Sequence, residues 1–109
     1  MGASLLEFHV LLALASGTLH GYAIAERIAA ESGGALLPRA GSLYRVIARL
    51  ISEGLVAESE GEEIPHPGLA RRYYELTAAG RRTLSEEARR LKQAAAVAEK
   101  RLGLARGRS

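Results

Sequence analysis

The stretch RAGSLYRVIARL, residues 39–50, sets Arg39, Arg45 and Arg49 among Leu43, Val46, Ile47 and Leu50. An arginine carries a planar fork of donors that fits a phosphate or the edge of a guanine in a bidentate way. With roughly 100° of turn per residue, the four aliphatics fall in one arc of a helix, and Gly41, Ser42, Arg45, Arg49 and Ser52 take the rest. Such a helix packs with one side and reads with the other. Ser42 and Tyr44 near its start are candidate phosphate donors, the helix N-terminus adds its own amides, and Arg39 adds a cation just before it. The plainer alternative is an ordinary amphipathic surface helix, with solvated arginines and Tyr44 packed on a neighbouring helix.

Other chemistries find little to work with. The 109 residues include no cysteine, which excludes disulfides, thiolate nucleophiles and cysteine metal sites, and no Asp or Asn, which leaves Glu as the only carboxylate side chain. His9, His20 and His66 lie at no metal-ligand spacing, and His20 is a turn residue beside Gly21. The glycine pairs match no phosphate loop, and no Ser-His-acid set can be assembled, so neither an enzyme nor a cofactor or metal is expected. The formal charge is +3, yet it divides into zero for residues 1–54, −3 for 55–80 and +6 for 81–109. Overall basicity therefore supports an anionic partner only weakly, and the direction of individual arginines matters more. The apolar run LLALA near the start lacks a preceding Lys or Arg and is interrupted by Glu7 and His9, so it is read as neither a secretion signal nor a membrane span. The expected location is cytoplasmic.

Stepping along the chain gives the elements that must hold the arginines. Ser4-Leu5-Leu6-Glu7 has capping-box spacing and opens a helix over about 5–16, stopped at Gly17 and apolar most of the way round. That excess of apolar positions suggests two burial surfaces, one of them facing a second subunit. A second helix, about 21–32, turns Ile24, Ala25, Ile28 and Ala29 inward and ends at Gly33-Gly34; the arginine-bearing helix, about 41–53, ends at Gly54. Residues 55–59 and 72–76 suit two strands of a hairpin, in which either Tyr73 or Tyr74 belongs to the core. Thr77 then caps a long helix with Leu84, Ala88, Leu91, Ala95, Ala98 and Leu102 at alternating spacings of 4 and 3, a heptad seam. Its arginines read as a solvated face with support of the Glu86–Arg90 kind.

Three helices, a hairpin and a long helix make a winged helix-turn-helix, mainly α with a small β-hairpin. The expected division is a winged helix over 1–77, a dimerisation helix over 78–102 and a frayed tail over 103–109. In this order the chain resembles the PadR family of bacterial transcriptional regulators. The resemblance rests on Leu19-His20-Gly21-Tyr22, Gly41-Ser42-Leu43-Tyr44-Arg45, Leu50 with Glu53-Gly54-Leu55, and Arg71 through Gly80 in the run RRYYELTAAG. It implies a homodimeric repressor on double-stranded operator DNA that places the third helix in the major groove and dimerises through the last one. The DNA-facing set is then Tyr22, Arg39, Ser42, Tyr44, Arg45, Arg49, Arg71 and Arg72. The dimer seam is Leu84 to Leu102 as above, joined by Leu5 and Phe8. The acidic hairpin, with Glu58, Glu60, Glu62 and Glu63, and Gly68-Leu69-Ala70 where relatives often carry a Gly-Arg-Pro-like stretch, argue against insertion of the wing tip into a minor groove. Some relatives release DNA on binding a small molecule, in certain cases stacked on a tryptophan; the resemblance thus extends to a small-molecule effector of unnamed identity, but with no Trp and a single Phe the stacking version is not supported. The competing reading is a winged helix that binds protein through its apolar first helix and acidic wing, without DNA.

Overall fold

Ser4 caps the first helix, α1 (Leu5–Ala13), in a computed structural model that describes residues 4–59 and 72–104. Both halves of the capping box form: the Glu7 amide donates to the Ser4 hydroxyl at 3.2 Å, and the Ser4 amide donates to a Glu7 carboxylate oxygen at 2.9 Å. The helix tightens into a 3-10 turn, Leu14–Ser16, before Gly17, so the expected span divides into an α and a 3-10 part. Val10, Leu11, Ala13 and Leu14 are buried, while Phe8 is half-buried and Leu5 is 59% exposed.

α2 (Gly21–Glu31) contributes Ile24 and Ile28 to the core, and α3 (Ala40–Ser52) contributes Leu43, Ile47 and Leu50. The end of α3 is a Schellman closure around Gly54. With φ at +78°, Gly54 lets its own amide reach the Ile51 carbonyl and the Leu55 amide reach that of Leu50, each at 2.9 Å. The turn sends the chain straight into the hairpin.

β2 (Val56–Ser59) and β3 (Tyr73–Leu76) pair antiparallel, with Val56 opposite Leu76 and Glu58 opposite Tyr74. Tyr74 is the buried member of the tyrosine pair. A third strand goes beyond the expected hairpin: β1 (Leu19–His20) pairs Leu19 with Tyr74 and His20 with Tyr73, giving the order β1-β3-β2. It ties the entrance of α2 to the base of the wing.

Thr77 caps α4 (Ala78–Arg101), accepting from the Gly80 amide at 3.0 Å and donating its hydroxyl proton to the Gly54 carbonyl at 2.6 Å. The core reaches past the expected boundary at residue 77, because Gly80 is buried and Leu84 packs on the apolar cluster. Leu84, at the head of the seam, is thus half-buried against the core of its own chain. Glu87 is buried on the same side and pairs with Arg90, so the Glu86–Arg90 contact expected from spacing is replaced by an i, i+3 pair. From Ala88 to Leu102 every residue of α4 is exposed, and the helix carries the molecule to 57 Å in its longest dimension. Among the described residues no helix is long and apolar enough to cross a membrane.

Candidate nucleic-acid interface

Burial of Leu43, Ile47 and Leu50, each at most 2% exposed, fixes how α3 is rotated. The opposite side then presents Gly41, Arg45 and Ser52, all exposed, with Tyr44 and Ala48 on the flank towards the hairpin. Arg45 is the centre of this face and makes no ion pair among the described residues. Arg39 is the N-cap of α3 and its side chain caps nothing, so both the guanidinium and the first amides of the helix remain open. Ser42 is half-buried at the same end.

The two tyrosines expected here belong to one arrangement with α2. Tyr22, at 69% exposure, projects from the first turn of α2, and Tyr44 of α3 lays its phenol against buried Gly21. A Cβ at Gly21 would fall 2.3 Å from the Tyr44 hydroxyl oxygen, which is the packing reason for glycine in that stretch. Tyr44 therefore packs on α2 and still leaves 48% of its surface exposed.

His20 was missing from the expected set and is central to this corner. Its Nδ1 accepts from the Ala23 amide at 3.3 Å, so the side chain is the N-cap of α2 rather than a plain turn residue. Its ring stacks at 7° to Tyr22 and meets Tyr73 edge-on, with centroids 5.6 Å apart. The signal was available in its place immediately before a helix, but His is not among the usual capping residues. Together His20, Tyr22, Tyr44, Ala48, Arg72 and Tyr74 line an open cleft of about 620 Å³ between α3 and the hairpin. Burial, chiefly, and then nearby Tyr44 and Glu58 push the Tyr74 phenol up against the opposing effect of Arg72. It remains a neutral donor at physiological pH.

Two arginines are less free than the sequence suggests. Arg72 pairs with Glu58 at 2.9 Å on the exposed hairpin, a contact between solvated groups that a phosphate can replace. Arg49, expected beside Arg45 on the reading face, points to the α1 flank instead and pairs there with the buried carboxylate of Glu7, with Glu53 also 3.8 Å away. Arg71 and the wing tip lie outside the described residues. Among the described residues no three His, Cys, Asp or Glu side chains cluster as metal ligands.

On the assembly side, Leu91 and Leu102 are 42% and 70% exposed along the free part of α4, and Ala88, Ala95 and Ala98 continue the same stripe. Among the described residues nothing covers that face.

Known proteins match this arrangement. The Transcriptional regulator PadR-like family matches residues 10–86. An uncharacterised 37.1 kDa protein in transposon Tn4556 of Streptomyces fradiae is 46% identical over 81 residues, which cover 72% of this chain but only 21% of that protein. A PadR family transcription regulator from Clostridium difficile superposes with a TM-score of 0.76 at 21% identity, over 91% of this chain and 99% of its own. Bacillus subtilis PadR, solved in complex with operator DNA, gives 0.66 at 24% identity over 76% of this chain and 46% of its own. The matched segment runs from the core of α1 through all three strands and into the buried turns of α4, and so takes in every element that positions Arg45: the chain belongs to the PadR-like family of transcriptional regulators.

Proposed function

We propose that the protein is a sequence-specific DNA-binding repressor that occupies a promoter operator as a homodimer. The observation that carries this reading is Arg45, exposed and without an ion pair among the described residues, at the middle of the α3 face opposite the core. In a major groove its guanidinium is suited to the O6 and N7 atoms of a guanine. Arg39, Ser42 and the open first turn of α3 then meet phosphates, Tyr22 and Tyr44 meet the backbone from the α2 side, and Arg72 exchanges Glu58 for phosphate. Two copies joined along Ala88, Leu91, Ala95, Ala98 and Leu102, with Leu5 and Phe8 of α1 beside them, would present two α3 helices to half-sites roughly 10 bp apart. The complex of Bacillus subtilis PadR with operator DNA supports this use of the fold.

Fluorescence anisotropy with the duplex upstream of the protein's own gene, beside a scrambled duplex and at two salt concentrations, tests the reading. Tighter, saturable binding to the native duplex is expected, with a log-log salt slope of roughly −0.9 per phosphate contact. Arg45→Ala should weaken it by about 1–3 kcal/mol and relax base preference while the circular dichroism spectrum is unchanged. Equal, feeble binding to native, scrambled and genomic DNA would favour the protein-binding alternative.

A further inference from the structure

Glu7 is a carboxylate almost withdrawn from water, at 4% exposure, on a helix that carries no other acid. Its two oxygens have separate tasks: one accepts from the Ser4 amide and the other from the Arg49 guanidinium. A cap needs only the first of these. The second joins the start of α1 to the flank of the reading helix across 42 positions of sequence. Arg49 lies only about 40° round α3 from Arg45, so a free Arg49 would be within reach of the phosphates beside the groove. In the structure its side chain, still 59% exposed, pairs with Glu7 and has Glu53 3.8 Å away.

We propose that Glu7 is a positioning residue that withholds Arg49 from DNA phosphates and so lowers sequence-independent affinity, leaving the α3 face to engage through Arg45. This rests on the DNA-binding reading above. The physical logic is a difference of affinities. A phosphate contact strengthens binding to every sequence alike and cancels in that difference, whereas a base contact does not, so base preference stays with Arg45 while sequence-independent affinity and its salt dependence fall with the withheld phosphate contact. The buried carboxylate removes it without deleting the arginine, whose guanidinium in turn keeps Glu7 from being an unpaired buried charge.

The test uses full-length wild type, Glu7→Gln and the charge-balanced double variant Glu7→Gln/Arg49→Gln on a random-sequence duplex across a salt series. Gln keeps the acceptor for the Ser4 amide, and neither variant strands a buried charge. Far-UV circular dichroism confirms that all three are folded. Wild type and the double variant carry the same net charge and should share one salt slope, while Glu7→Gln should be steeper by roughly 0.9 per protomer and bind several-fold tighter. Two results overturn the proposal: equal slopes for Glu7→Gln and the double variant, or a wild-type slope steeper than that of the double variant, which would mean that Arg49 already contacts phosphate. Failure of wild type and Glu7→Gln alike to bind duplex DNA even at low salt would reject the DNA-binding reading itself, and this inference with it.

Discussion

Gly80→Ala sets two effects of opposite sign against each other in one methyl group. In the first turn of α4 alanine is favoured over glycine by up to about 1 kcal/mol, so helix propensity alone predicts a stabler protein. Packing says otherwise. A Cβ at Gly80 would lie 2.0 Å from the Leu55 carbonyl oxygen, 3.0 Å from its carbon and 3.1 Å from Leu76 Cδ2. The nearest obstacle is backbone and cannot rotate away. The start of α4 must therefore lift from the turn after α3, where the Thr77 amide donates to that same Leu55 carbonyl at 3.1 Å and the Thr77 hydroxyl donates to the Gly54 carbonyl at 2.6 Å. Overpacking of this kind costs about 1–3 kcal/mol, and each hydrogen bond lost adds about 1 kcal/mol. The cost exceeds the gain, and net destabilisation of about 1–3 kcal/mol is expected. Gly41→Ala is the matched control, since a Cβ there meets nothing within 4 Å. It should stabilise by up to about 1 kcal/mol in α3. Urea denaturation of the three proteins at equal concentration reads both. A Gly80→Ala midpoint at or above that of wild type would refute the packing argument for this glycine.

Leu91→Glu places a charge in the middle of the free α4 stripe and should give a monomer by light scattering; a surviving dimer would move the interface off this helix. Gly21→Ala pushes against the outer end of a half-exposed tyrosine rather than backbone, so the Tyr44 ring should swing out. Thermal stability should then stay near that of wild type while operator affinity falls, and a collapse of stability would show that Tyr44 has nowhere to go. Tyr74 titrates higher in the folded chain than its ordinary 10.0, because burial disfavours the phenolate. The folded state thus holds this proton more tightly, and the stability so gained is complete below pH 10.0 and is lost as pH rises through the raised value. Denaturation midpoints followed into alkali should fall more steeply for wild type than for Tyr74→Phe, and parallel curves would contradict the shift.

What was legible in the sequence was local. Ser4 with Glu7, Gly54 after Leu50, and Thr77 before α4 each fix a helix end through atoms a few residues apart, and all three form as their spacing implies. Periodicity gave the core arc of α3 for the same reason. It yields an azimuth but not what stands across from it, which is why Arg49 was assigned to the reading face while its partner lay on another helix. Leu19 and His20 carry no strand pattern because two residues cannot alternate, and their partner strand is more than fifty positions away. Glu86 and Glu87 are equally good neighbours for Arg90 by spacing; the pair forms with Glu87, on the buried side of α4. The heptad seam was visible as a stripe, but that Leu84 is consumed by the chain's own core required the packing of α4 on the rest.

The charge arrangement makes the proposed dimer more than a doubling of half-sites. On the α3 side the described cations not held by a buried carboxylate are Arg39, Arg45 and Arg72, and the last must first give up Glu58. Residues 1–54 are neutral and residues 55–80 carry −3, so neither of these segments adds a positive field to this short list. A single protomer would therefore release only a few counterions, and its grip on DNA would be weak at physiological salt. Joining two protomers makes the second engagement intramolecular and multiplies affinity without any new contact. Operator binding should accordingly depend on protein concentration through dimerisation, with a log-log salt slope of roughly −4 for the four phosphate contacts of Arg39 and Arg72 in two protomers. Leu91→Glu, which touches no nucleotide in this arrangement, should abolish binding at concentrations where Arg45→Ala still shows a residual complex. If Leu91→Glu proved monomeric and yet bound the operator as wild type does, the affinity would reside in one protomer, and the account of α4 as the element that couples assembly to DNA reading would fail.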